Sequence, residues 1–238
     1  MIVDTSRSMQ GERIDQVNTA IADIHKYLVD LQGENTNVDF YMSIMTFANK
    51  AEFVPGYRGI NVNDMTPPKL KAIGYSNLHC AYETLAPMLH KESNGGMMPE
   101  FGGIAPIILL LTDGHPTKSA DRQLDELKKL PWFKASLRYG IAIELNDERT
   151  IRVLNDFTED KDCVVECIDA ATLAKIIQII VLTASKVKSQ SSAVKANNMA
   201  KASIKNNAKE SSASKSITHA LVKQQVKLSL DEIDSLEW

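Results

Sequence analysis

From Ile14 the apolar positions Val17, Ile21, Ile24, Leu28 and Leu31 recur three and four residues apart, with Gln, Asp and Lys between them. That spacing puts them on one side of an α-helix, and it predicts a long amphipathic helix ending near Gly33. The period then changes. Val38, Phe40, Met42 and Ile44 alternate with Asp39, Tyr41 and Ser43, and Asn49-Lys50 intervenes before Glu52-Phe53-Val54. A two-residue period followed by a turn predicts an antiparallel hairpin at a sheet edge.

Leu78, Ala81, Leu85 and Leu89 mark a second helix, and Asn94-Gly95-Gly96 breaks the chain again. The run Ile104 to Leu111 is apolar except for Pro106, as a strand covered on both faces would be, and it predicts the centre of a parallel sheet. Leu124, Leu127 and Leu130 then predict a helix, and Leu137, Tyr139, Ile141, Ile143 and Leu145 a strand. Ile151, Leu154 and Phe157 predict another helix, Cys163 to Ile168 a short strand, and Leu173, Ile176, Ile177, Ile180 and Ala184 a closing helix. Strands alternating with helices of this length predict an α/β fold. The sheet is doubly wound, mostly parallel with one antiparallel edge strand, and has right-handed crossovers.

Composition changes near Val187. From Lys188 to Leu230 the chain is mostly Ser, Lys, Ala and Asn, with few large apolar residues before Ile217. Such a segment buries too little surface to offset the entropy of ordering. The expected organisation is therefore one domain over residues 1–187 and a flexible tail over 188–238. At the tail's end Ser229 and Glu232 have capping-box spacing, and Val226, Leu230, Ile233 and Trp238 share a helical face. Either a docking helix or a frayed end fits that pattern. Asp231, Glu232, Asp234 and Glu237 are candidates to visit an anion-binding site on this chain or a neighbour.

Charge and composition narrow the function. A net charge of −3 across 238 residues, with a pI near 6.0, supplies no basic field for phosphate backbones, so nucleic acid is not an expected partner. The apolar runs fall far short of the roughly 20 residues that span a bilayer, and no membrane role is expected. Cys80, Cys163 and Cys167 are too few for a disulfide framework and lack zinc-site pairing. Met1-Ile2-Val3 shows neither the basic flank nor the apolar stretch of a signal peptide, so a cytoplasmic location is expected.

The chemistry gathers in three segments. Asp4, Ser6 and Ser8 stand two residues apart where the first strand hands over to the first helix. Leu111-Thr112-Asp113-Gly114 follows the central strand, with Gly114 expected to turn the chain sharply, and Gly74-Tyr75-Ser76 precedes the second helix. Loops at the carboxyl ends of strands in open α/β sheets diverge and leave a crevice. Carboxylate and hydroxyl oxygens converging there suit a hard cation such as Mg²⁺, which keeps several waters and needs few protein ligands.

These segments, in their β-α-β order, resemble the von Willebrand factor A family and its metal-ion-dependent adhesion site, over residues 1 to about 187. The resemblance implies that Asp4, Ser6, Ser8, Ser76 and Asp113 surround Mg²⁺ or Mn²⁺. It also implies that a protein partner's Asp or Glu completes the shell. Two positions depart from the family pattern: Arg7 replaces the usual glycine between the serines, and Gly74-Tyr75-Ser76 replaces Gly-Gly-Thr. Arg7 adds a cation that favours an acidic ligand. Intracellular bacterial members of tellurite-resistance type are similar in being short and without secretion signals, which implies a stress-response or signalling assembly. A metal-independent scaffold with a degenerate site is the alternative, and a metal-assisted hydrolase ranks below it.

Enzymatic activity is not expected. Neither Ser6 nor Ser8 sits in a nucleophile elbow, and no phosphate loop or H-E-x-x-H motif occurs. His115 follows Asp113 closely and is either a solvated loop residue or a neighbour of the metal.

Overall fold

Ile2–Asp4 forms β1, a strand of three fully buried residues. The computed structural model describes residues 1–34, 39–101, 105–114, 116–143, 148–167 and 169–179. In it β1 lies between β3 (Met45–Phe47) and β6 (Ile107–Thr112), parallel to both. Beyond β6 the sheet continues, still parallel, with β7 (Leu137–Ile143) and β8 (Val164–Cys167). On the other side β4 (Ala51–Phe53) pairs antiparallel with β3 and forms the edge. The six strands run β4-β3-β1-β6-β7-β8. This is the mostly parallel sheet with one antiparallel edge that the sequence predicts.

The hairpin begins later than the alternation suggests. Tyr41–Met42 (β2) leaves the main sheet and pairs antiparallel with Ile60–Asn61 (β5). Met42 and Ile44 are buried, and so is Met45 directly after Ile44. Two consecutive buried residues shift the two-residue period by one. A one-residue shift exchanges the faces of a strand, so a single regular strand does not run from Phe40 to Phe47.

Helices alternate with the strands: α1 (Glu12–Glu34), α2 (Leu78–Met88), α3 (Asp121–Lys129), α4 (Pro131–Ala135), α5 (Glu148–Thr158), and α6 over residues 170–179. The α1 stripe Ile14, Val17, Ile21, Ile24 and Leu28 is buried as its spacing requires. The described helix runs to Glu34, one residue past the expected stop near Gly33. Leu130 leaves the predicted third helix because Pro131 follows, and a residue before proline is driven out of helical backbone. Pro131 instead opens α4 at its first turn.

All seven residues of β7 are buried, as are Ile108 to Thr112 of β6. Strands covered on both faces need a helical layer on each side. On one face Ile2, Phe47, Ile108 and Leu110 join Leu78, Tyr82 and Leu85 of α2, Leu124 and Leu127 of α3, and Leu154 and Phe157 of α5 in one cluster. Within it the Tyr82 and Phe157 rings stack at 6.0 Å, and Phe133 meets Phe157 edge-on at 5.9 Å. Such pairs add stabilisation beyond their buried area. Gly140 admits α5 closely, since a Cβ there would lie 2.8 Å from the Leu154 Cβ.

One buried charge was not anticipated. Arg138 on β7 donates to the carbonyls of Phe133 and Phe157 at 2.5 and 3.0 Å and to Glu159 at 2.6 Å, with its guanidinium over the Phe133 ring. These acceptors offset the cost of taking the guanidinium out of water.

Cys80, Cys163 and Cys167 are all free thiols. Among the described residues no helix is long and apolar enough to cross a membrane. The expected capping box, docking face and acidic end of the tail, together with His115 and Leu145, lie outside the described residues.

Candidate metal centre

β1 and β6 are neighbours, but the chain leaves β1 toward β3 and reaches β6 only later, on the other side. Such a reversal of winding opens a crevice beyond the carboxyl ends of the two strands. Asp4 ends β1, and Asp113 follows Thr112 at the end of β6. Ser6 caps a single 3₁₀ turn, Arg7–Met9, which carries Ser8. Ser76 lies just ahead of α2. The three segments therefore meet at the same end of the sheet.

Main-chain hydrogen bonds tie these loops together. Ile73 N donates to Thr5 O at 2.7 Å, Arg7 N to Gly74 O at 2.9 Å, and Thr117 N to Ser76 O at 2.8 Å. Gly74 has φ +97°, and a Cβ there would come within 2.9 Å of the Asn49 side chain. Only glycine combines that backbone with that closeness. Gly114, expected to supply a special turn, has neither a positive φ nor a crowded Cβ direction. The chain turns there through a hydrogen bond, with Gly114 N donating to the Thr112 hydroxyl at 3.2 Å.

The side chains form one connected set. Asp4 Oδ1 accepts from Ser6 N at 2.8 Å, and Oδ2 accepts from Ser76 Oγ at 2.9 Å and Thr112 Oγ1 at 2.8 Å. Ser8 Oγ donates to Asp113 Oδ1 at 2.8 Å, so its 3.0 Å contact with Ser6 Oγ uses the Ser6 proton. Arg13, in the first turn of α1, donates to Asp113 Oδ2 at 2.8 Å and to Ser8 O at 3.0 Å. Asp4, Ser6, Ser8, Ser76 and Asp113 are thus brought together as the sequence predicts. Thr112 and Arg13 join them without having been singled out.

Burial grades the set. Asp4 and Asp113 are fully enclosed, Ser6 is 3% exposed, and Ser8 is open to solvent. Desolvation raises the Asp4 pKa above the usual carboxylate value, and its hydrogen bonds from Ser6, Thr112 and Ser76 pull it back down. The mouth is a cleft of about 450 Å³ lined by Ser6, Arg7, Ser8, Asn49, Ile73, Gly74, Tyr75, Ser76 and Thr117. Ile73 and Tyr75 stand 70% exposed on its rim.

The donor set fits a small dication. Cis oxygens of an octahedron with bonds of 2.0–2.1 Å stand about 2.9 Å apart, close to the Ser6–Ser8 and Ser8–Asp113 spacings of 3.0 and 2.8 Å. The Ser8 and Ser76 protons go to carboxylates, which leaves hydroxyl lone pairs for an ion. Among the described residues no three His, Cys, Asp or Glu side chains gather into a metal-holding group. Any cation held here depends on hydroxyl oxygens.

The chain belongs to the von Willebrand factor type A domain family, whose model matches residues 1–179. Among solved structures it is similar to proximal thread matrix protein 1 (PTMP1) from the mussel byssus, at 18% identity and a TM-score of 0.52 over 75% of this chain and 46% of that one; that structure is described as having a zinc-occupied MIDAS motif. It is similar to a von Willebrand factor type A protein from Catenulispora acidiphila, at 15% identity and TM-score 0.52 over 77% and 41% of the two chains. The corresponding domain of the type V pili tip protein Mfa5 from Porphyromonas gingivalis gives 10% identity and TM-score 0.53 over 76% of this chain and 94% of that chain. The chain spans less than half the length of the mussel and Catenulispora proteins. At these identities the likeness establishes the fold. No curated protein sequence matches.

Proposed function

We propose that the domain binds Mg²⁺ or Mn²⁺ with the Ser6, Ser8 and Ser76 hydroxyls and Asp113, backed by Asp4, and uses the site to engage an Asp or Glu side chain of a protein partner. The observation that carries this reading is the connected set itself, whose carboxylates take the Ser8 and Ser76 hydroxyl protons and leave those oxygens lone pairs for an ion. Asp4 orients Ser6 through its main chain and Ser76 through its hydroxyl. Asp113 holds Ser8 at the mouth. A divalent ion supplies a positive coordination position facing solvent, which a carboxylate can fill.

Arg7 at the cleft favours the same anionic group, and the exposed Ile73 and Tyr75 offer apolar contact around it. The zinc-occupied motif of the mussel protein supports a divalent ion in this fold. Both carboxylates are already engaged as hydrogen-bond acceptors, which favours binding over general-base catalysis. The setting proposed with it, from the sequence resemblance alone, is a cytoplasmic stress-response or signalling assembly.

A metal-independent scaffold is the second reading. It is favoured by the Arg13–Asp113 ion pair, which gives the third-loop carboxylate a cation of its own. Calorimetric titration of Mg²⁺, Mn²⁺ and Zn²⁺ into the wild type and Asp4→Ala separates the two. The cation reading expects saturable heat in the first and none in the second. A pull-down with and without chelator extends the test, and partners retained equally in both conditions would support the scaffold.

A further inference from the structure

We infer that Arg13 sets the charge of the cation centre: it weakens the hold on the ion and strengthens the pull of the loaded site on a carboxylate. The inference rests on the cation reading above and concerns a residue that the ligand set leaves out.

Arg13 is the fixed-charge partner of Asp113. Its guanidinium lies 2.8 Å from Asp113 Oδ2, and that carboxylate is 0% exposed while the Arg13 side chain is 29% exposed. The other Asp113 oxygen accepts from Ser8. One carboxylate therefore divides its two oxygens between the Ser8 hydroxyl and the guanidinium. A second contact, to the Ser8 carbonyl at 3.0 Å, fastens the guanidinium to the same loop that carries two of the candidate ligands. Arg13 is rooted in the first turn of a 23-residue helix, so its stem is held even when the loops adjust.

The charges have a definite consequence. The two carboxylates and the Arg13 guanidinium together contribute a single negative charge to the empty centre, and a dication makes their sum singly positive. Without Arg13 the empty centre would be doubly negative and the loaded centre neutral. Arg13 thus opposes ion uptake by direct repulsion and by drawing electron density from a ligand oxygen. The same excess charge remains once the ion is bound, and it acts on any carboxylate that approaches the cleft. Repulsion between a unit charge and a dication separated by one carboxylate corresponds to about tenfold in affinity, even with water-like screening. Arg13 and Arg7 differ in this respect: Arg7 is exposed at the mouth, where salt screens it, whereas Arg13 is only 29% exposed and paired with an enclosed carboxylate.

The test uses the full chain with Arg13→Gln, Arg13→Met and Arg13→Lys. Folding of each is checked by thermal unfolding, and two neutral replacements are included so that one remains if the other fails to fold. Calorimetry with MgCl₂ and MnCl₂ alone reads cation affinity. Acetate titrated into the Mn²⁺-loaded protein, followed by water-proton relaxation, reads the pull on a carboxylate. The neutral variants are expected to bind cations about tenfold more tightly and acetate more weakly than the wild type, with Arg13→Lys within about threefold of the wild type in both. Neutral variants that bind cations equally or more weakly would overturn the inference and reduce Arg13 to a prop for the loops. So would a lysine variant that behaves like the neutral ones. In either case the cation reading would survive, because the wild type still binds. A wild type that takes up neither ion removes both.

Discussion

Ser8 and Thr112 each donate to one of the buried carboxylates, yet they stand at opposite ends of the site. Ser8 is open to solvent and Thr112 is 2% exposed. Replacing Ser8 by Ala removes a donor to the enclosed Asp113, but solvent reaches this exposed position, so it is expected to cost only about 1 kcal/mol while lowering Mg²⁺ affinity at least about tenfold in calorimetry. Thr112→Val removes a buried donor to Asp4 and the acceptor of Gly114 N. It is expected to cost about 1–3 kcal/mol in denaturant unfolding, with a smaller loss of cation affinity. The meeting of the five expected side chains was legible because Asp4 ends a strand and the other four sit in loops whose positions follow from strand order. Thr112 was not legible, since its hydroxyl reaches Asp4 only through the side-chain alternation of β6. Arg13 reads in the sequence as an ordinary first-turn residue, and nothing in its spacing points to Asp113. At the far edge of the sheet, burial pushes the Cys167 thiol from 9.0 up to about 11. The folded chain then holds a proton that the unfolded chain releases, so stability falls as pH rises from 9 toward 11. Urea unfolding across that range is expected to show a shallower decline for Cys167→Ala than for the wild type.

Among the elements, the close approach of α5 to β7 depends on one missing methyl group. Gly140→Ala would place a carbon 2.8 Å from the Leu154 Cβ, in a strand where every residue is buried. Overpacking of this kind costs about 1–3 kcal/mol, and a lower thermal midpoint with unchanged circular dichroism is the expected result. Periodicity predicted α1, α2, β7 and α5 correctly because each keeps a single period along its length, and an apolar run predicted β6. It failed from Phe40 to Ile44, where the buried pair Ile44 and Met45 changes the phase and Tyr41–Met42 joins a second, two-stranded sheet. A sequence pattern records which residues are apolar, but not which strand their backbone joins. Leu130 shows a related limit: its apolar spacing continues the helix, whereas the following proline ends it.

For the molecule as a whole, all five candidate ligands lie within residues 1–113, and the family match ends at residue 179. A chain cut after Val187 is therefore expected to bind Mg²⁺ with the same affinity as the full protein, which calorimetry on the two forms would check. A loss of binding would place part of the site in the remaining segment. The alternating elements announce the winding of the sheet, but they do not say which two strands part company. That is decided by β1 pairing with both β3 and β6.

The three loops at that parting are stitched to one another by backbone amides before any ion arrives. Capture then asks little rearrangement of the polypeptide, and its tempo passes to the ion's own hydration shell. Magnesium gives up water reluctantly, so manganese should load the faster of the two in stopped-flow mixing, even where their equilibrium occupancies agree.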